Sequence, residues 1–176
     1  MADAQGASVS FDLKEVVAVK KMLANASLSS ADRGRLLQSI GVEMEAQTQE
    51  RFDTQKSPDG NSWKALAQKT KDYYNSQGWA ARSILVGEGT LRDSITSEVQ
   101  GGAWAVLVGA TMEYAAVHQF GKEIVPKSAK ALFVSGYGML KKVNIPARPY
   151  LGVSSDDAKA IEDAVANFLG GKAGVK

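Results

Sequence analysis

Ile95-Thr96-Ser97-Glu98-Val99-Gln100-Gly101-Gly102-Ala103-Trp104-Ala105-Val106-Leu107-Val108 decides the fold class. Ile95, Ser97 and Val99 alternate with polar residues, Gly101-Gly102 supplies a turn, and Trp104, Val106 and Val108 return on one face. Alternation on both sides of a glycine turn predicts a β-hairpin, and so an antiparallel sheet. Working outward, helical patterns surround it.

Towards the N-terminus, Thr90-Leu91-Arg92-Asp93-Ser94 reads as a short helical turn, preceded by the apolar run Ile84-Leu85-Val86. Residues 64–79 are helix-compatible, with Leu66, Thr70, Tyr73 and Tyr74 on one side. Ser57-Pro58-Asp59-Gly60 is a turn: proline presets φ, Asp bonds its own backbone and Gly accepts positive φ. Trp63 follows three residues later. A helix capped by Ser29 or Ser30 runs to about Phe52, its stripe Leu36, Leu37, Ile40 and Met44 spaced three and four apart. Gly41, beside Ile40, marks a close helix approach. An earlier helix is expected over about 13–26, opened by the capping box Asp12-Leu13-Lys14-Glu15. Residues 1–10 read as a flexible arm.

Towards the C-terminus, Met112 to Phe120 reads as a short helix closed by Gly121. Residues 122–130 read as a loop around Pro126. A second hairpin is expected from Ala131–Val134, a turn at 135–138 and a return strand Leu140–Ile145, stopped by Pro146 and Pro149. Ser154-Ser155-Asp156-Asp157 opens a last helix, carried by Ile161, Val165 and Phe168 and ended by Gly170-Gly171. The expected architecture is α+β: two β-hairpins in one antiparallel sheet, packed against several helices. A single domain spans 11–170, with a basic loop and hairpin at 122–148 and a flexible tail at 171–176.

Composition narrows the function. The chain has 176 residues, 44% hydrophobic and 23% charged, a formal net charge of +2, no cysteine and one histidine. Thiolate metal sites, disulfides, Cys nucleophiles and sites needing two histidines are excluded. The N-terminus is small and polar without a signal-peptide core, and no stretch approaches the roughly 18 apolar residues of a membrane helix. The expected setting is the cytoplasm of the cell that makes it, with no membrane partner.

Few residues suggest chemistry. His118 titrates near neutrality but lies among apolar neighbours, with nothing to complete a triad. Gly87-Glu88-Gly89 lacks the third glycine of a dinucleotide loop, since position 92 is arginine. Asp156/Asp157 and Glu162/Asp163 are helix neighbours that do not face each other. No catalytic residue, cofactor or metal is expected. One asymmetry stands out: Lys122, Lys127, Lys130, Lys141, Lys142 and Arg148 are opposed within 122–148 by Glu123 alone. This segment suits an acidic protein surface or DNA phosphates, or simply a lysine-guarded edge. Trp63, Trp104 and Tyr150 read as core or interface anchors.

The ordered motifs are more specific than any one of them. Arg35-Leu36-Leu37-Gln38-Ser39-Ile40-Gly41 is followed by Arg51-Phe52 and Pro58-Asp59-Gly60-Asn61-Ser62-Trp63. Gly89-Thr90-Leu91-Arg92-Asp93-Ser94-Ile95 comes next. Then come Tyr114-Ala115-Ala116-Val117-His118-Gln119-Phe120-Gly121 and Ile145-Pro146-Ala147-Arg148-Pro149-Tyr150-Leu151-Gly152. The string resembles the phage virion morphogenesis family of Mu-like and related tailed phages and prophages, over about residues 13–169. The resemblance implies a non-enzymatic structural protein of the virion neck. Such a tail-completion or head–tail connector subunit forms a homo-oligomeric ring of six or twelve copies around the DNA channel. It implies a head-side connector and a tail tube or tail terminator as neighbours, with possible contact to DNA in the channel. Capsid assembly and DNA-binding morphogenesis are the alternatives. The signature residues Pro58, Asp59, Gly60, Trp63, Tyr114, His118, Gln119, Phe120, Gly121, Pro146, Arg148 and Pro149 bring no catalytic role with them.

Overall fold

The computed structural model describes residues 7–12, 26, 28–79, 83–100 and 105–173. The helix expected over about 13–26 falls almost entirely outside the described residues, as do the Gly101-Gly102 turn and Trp104.

Helix α1, Ser30–Thr54, is the backbone of the fold. Ser29 caps it, its hydroxyl accepting from the Asp32 amide at 3.1 Å. The expected stripe is its buried face: Leu36, Leu37, Ile40 and Met44 are at most 4% exposed. That face lies on a three-stranded antiparallel sheet of order β1-β3-β2, made from Ala7–Asp12, Ala105–Ala110 and Ile95–Val99. The β2–β3 ladder sets Ile95, Ser97 and Val99 opposite Ala110, Val108 and Val106. Gly41 lets helix and sheet meet closely, since a Cβ there would lie 2.5 Å from the Ser97 hydroxyl and 3.4 Å from Val106. Helix α5, Ser155–Ala173, closes the core with Ile161 and Val165, both fully buried. Each such apolar side chain contributes roughly 1.5–3 kcal/mol by leaving water.

The shorter elements are α2 at Gln68–Ser76, α3 at Thr90–Asp93 and α4 at Ala115–Phe120. Beyond α4 come two small antiparallel ladders. β4, Lys122–Ile124, pairs with β7, Val143–Ile145, while β5, Leu132–Val134, pairs with β6, Gly138–Leu140.

The α+β class and its antiparallel strands are as expected, but six details differ. Residues 7–10 are not an arm: Ala7–Asp12 pairs along β3. The sequence alternation Ser8-Val9-Ser10-Phe11 has the strand period. With both edges of β3 occupied, the second hairpin has no place beside it and forms its own ladders. The expected return strand 140–145 is split at Lys141-Lys142 between two partners, and the expected loop at 122–130 begins with β4. Pro126, which has no amide proton, lies in the unpaired stretch between β4 and β5. Helix α2 starts at Gln68 rather than 64, because the Lys64 and Ala65 carbonyls accept from Arg148 at 2.8 and 3.4 Å. Helix α5 runs through Gly170 and Gly171 to Ala173, past the expected helix end, because neither glycine takes the left-handed φ of a cap.

Candidate assembly surface

The signature strings meet in space as a framework. Ser57 to Trp63 forms a tight turn, with the Gly60 amide on the Ser57 carbonyl at 2.9 Å and Asp59 accepting from the Asn61 side chain at 2.6 Å. These bonds hold the fully exposed Asp59 carboxyl below its ordinary pKa, the Ser57 hydroxyl first and Asn61 second. The turn delivers Trp63 into the core. Its indole N–H donates to the Pro149 carbonyl at 2.7 Å, and its ring meets Phe52 edge-on at 5.4 Å.

The segment Arg148 to Gly152 is held from both sides. Gln119 of α4 accepts from the Tyr150 and Leu151 amides, both at 3.0 Å, and donates to the Leu151 carbonyl at 2.9 Å. This buried amide stands in for a strand partner. The Tyr150 hydroxyl donates to the Ala115 carbonyl at 3.2 Å, and burial pushes its phenol far above the ordinary range. On the other side Arg51 of α1 donates to the Tyr150 and Gly152 carbonyls at 2.8 and 3.2 Å and pairs with buried Asp157 of α5. Asp157 in turn accepts from the Ser154 amide at 2.6 Å, closing the start of α5. Gly121 ends α4 at φ 71°, with a would-be Cβ 2.7 Å from the Ala147 amide nitrogen. That position requires glycine. Pro146 is half-buried beside this junction in sequence, while Phe120 is 68% exposed.

His118 is half-buried, its Nδ1 without a hydrogen bond and its ring edge-on to Tyr114 at 5.8 Å. Burial, then the nearby Arg148 charge, lowers its pKa below the ordinary 6.5. Both residues line a cleft of about 250 Å³ with Tyr74, Leu85, Glu88 and Tyr114. At Nδ1, His118 meets no nucleophile or carboxylate among the described residues. No group of three or more His, Asp or Glu that could hold a metal occurs among them either.

The basic segment is less uniform than its sequence suggests. Lys122, Lys127, Lys130, Lys141 and Lys142 are exposed, and Lys142 pairs with Glu123 at 2.8 Å. Arg148 is only 7% exposed, its guanidinium spent on two backbone carbonyls. It belongs to the framework and leaves the exposed basic group with five lysines.

The β5–β6 hairpin is tied down at its tip. The Tyr137 and Thr70 hydroxyls are 2.7 Å apart, Lys69 lies over the Tyr137 ring, and a Cβ on Gly136 would fall 2.6 Å from Tyr73. Leu132, Val134 and Leu140 are half-buried. On the opposite face the cross-strand pair Phe133 and Met139 is 74% and 66% exposed. A hairpin in water normally turns polar residues outward, and this one does not. The sequence carried a signal for it: Ala131 to Val134 is apolar at consecutive positions, which makes both faces of a two-stranded ribbon apolar.

Comparison with known proteins agrees with the framework. Residues 14–170 match the phage virion morphogenesis family. The chain is 28% identical over 162 residues to the "Putative capsid assembly protein G" of Escherichia phage Mu, covering 89% of this chain and 94% of that protein. It is 32% identical over 151 residues to the "Mu-like prophage FluMu G protein 2" of Haemophilus influenzae, covering 85% and 86%. No solved structure matches it. From the ordered signatures, the framework they build and a match over nearly its whole length, the chain belongs to the phage virion morphogenesis family.

Proposed function

We propose that this chain is a structural subunit of the virion neck, a tail-completion or connector protein that assembles as a ring around the DNA channel. The observation that carries the reading is the outward apolar pair Phe133/Met139 on a hairpin braced against the body. Trp63, Gln119, Gly121 and Arg148 of its signature are spent on framework, while Phe120 and Tyr114 remain exposed, and such a protein works by the surfaces it presents. Its partners in this reading are further copies of itself, a head-side connector, and a tail tube or tail-terminator protein. The exposed lysines of 122–142 give it a basic face for an acidic neighbour or for DNA in the channel.

A second reading is favoured by one observation, the words "capsid assembly" in the name of the phage Mu relative. Immunogold labelling of purified particles separates the two. Gold confined to the junction of head and tail is the expected result. Gold spread over the head shell, or found only on unfinished heads, supports capsid assembly instead. A DNA-binding role predicts duplex affinity that falls steeply with salt, and gel-shift titration at two salt concentrations tests it.

A further inference from the structure

Two exposed surfaces of this chain match each other. On the β5–β6 hairpin, Phe133 and Met139 stand at the centre of an outward face flanked in sequence by Lys130 and Lys141. On α1, Val42 is 60% exposed and Ala46 is exposed one turn further on. Helical spacing puts Glu45 on one side of this apolar pair and Glu43 and Glu50 on the other. No cation pairs with these three glutamates, and no carboxylate pairs with Lys127, Lys130 or Lys141, among the described residues. One surface is apolar fringed by lysine and the other apolar fringed by glutamate. The exposure of Val42 and Phe133 shows that neither covers the other within one protomer.

We propose that the outward face of the β5–β6 hairpin docks on the exposed α1 face of a second copy of this chain, with Phe133 and Met139 against Val42 and Ala46. The contact rests on the ring reading above and specifies its joint. Different patches meet, so the contact is heterologous, and repetition closes a ring when the rotation allows. The apolar centre supplies affinity, and the opposed charges set the register and make association sensitive to salt.

The test uses the full chain and sedimentation velocity across a concentration series. Wild type is expected to self-associate, and F133S/M139S to weaken association by about thirty-fold, the scale of losing a central interface anchor. V42K, which sets a cation against the lysines, is expected to do the same. Both sites are exposed, and circular dichroism checks that the variants fold. A mixture of F133S/M139S with V42K retains one good joint between unlike chains, so it should give heterodimers and nothing larger. The charge swap supplies an independent arm: E43K/E45K disrupts assembly, and adding K130E/K141E to the same chain restores it. Wild-type-like assembly of F133S/M139S would overturn this joint while leaving the ring reading standing. A wild-type chain that stays monomeric throughout the series would overturn both.

Discussion

Replacing Asp157 by alanine tests how the framework is held. Asp157 is 1% exposed and carries the ion pair to Arg51, itself 7% exposed. Its loss leaves a buried guanidinium with only the Tyr150 and Gly152 carbonyls, and leaves the Ser154 amide without its acceptor. Breaking one side of a buried pair costs about 3–5 kcal/mol, most of it the uncompensated charge. For a chain of this size that lowers the melting temperature by roughly 6–20 °C. Thermal and urea denaturation measure it, with R51M/D157L as the control. The double variant removes both charges but also leaves the Tyr150 and Gly152 carbonyls and the Ser154 amide without these partners, so it should cost clearly less than the sum of the two singles without returning to wild type. The reasoning is refuted if D157A costs less than about 1 kcal/mol, or if the double variant loses the sum of the two singles.

Three further outcomes follow from the same geometry. Gly34 and Gly41 both sit in α1, but a Cβ at Gly34 meets open space while one at Gly41 meets Ser97. Thermal melts should show G34A stabilised by about 0.5–1 kcal/mol and G41V destabilised by about 1–3 kcal/mol, so equal effects at the two sites would count against the close approach. G121A pushes a side chain into the Ala147 backbone at φ 71°, and should cost more than about 2 kcal/mol in urea titration. His118, whose folded pKa lies below 6.5, resists a proton that the unfolded chain accepts. Its contribution is therefore complete above 6.5 and is lost as pH falls through the folded value. H118Q should flatten the decline in urea midpoint between neutral and mildly acid pH, and a decline identical to wild type would rule the histidine out as its cause.

Local patterns were legible wherever neighbours in sequence decide the structure. The α1 stripe, its Ser29 cap, the β2–β3 pairing and the close approach at Gly41 all follow from spacing within one or two turns or across one short turn. What sequence did not reveal depends on distant partners. Residues 64–67 look helical until Arg148, more than eighty positions away, takes two of their carbonyls. For the same reason Arg148 looked like a surface cation. The strand at Ala7–Asp12 depends on the free edge of β3, which lies about a hundred residues downstream. The consecutive apolar residues Ala131 to Val134 give the β5–β6 ribbon two apolar faces, but which face stays outward is set by the distant contacts that pin its tip to α2. The signature strings were legible as a family pattern, but their role as a lattice of side-chain-to-backbone bonds around Tyr150 needed the fold.

These features describe a chain braced internally around Tyr150, with an outward apolar pair on a hairpin flanked in sequence by lysines. The place proposed for this chain is the junction of head and tail. Negative-stain microscopy of a lysate from the parent phage lacking this gene tests it most directly. DNA-filled heads beside unattached tails are the predicted result. Empty or aberrant heads with normal tails, or intact infectious particles, would contradict it.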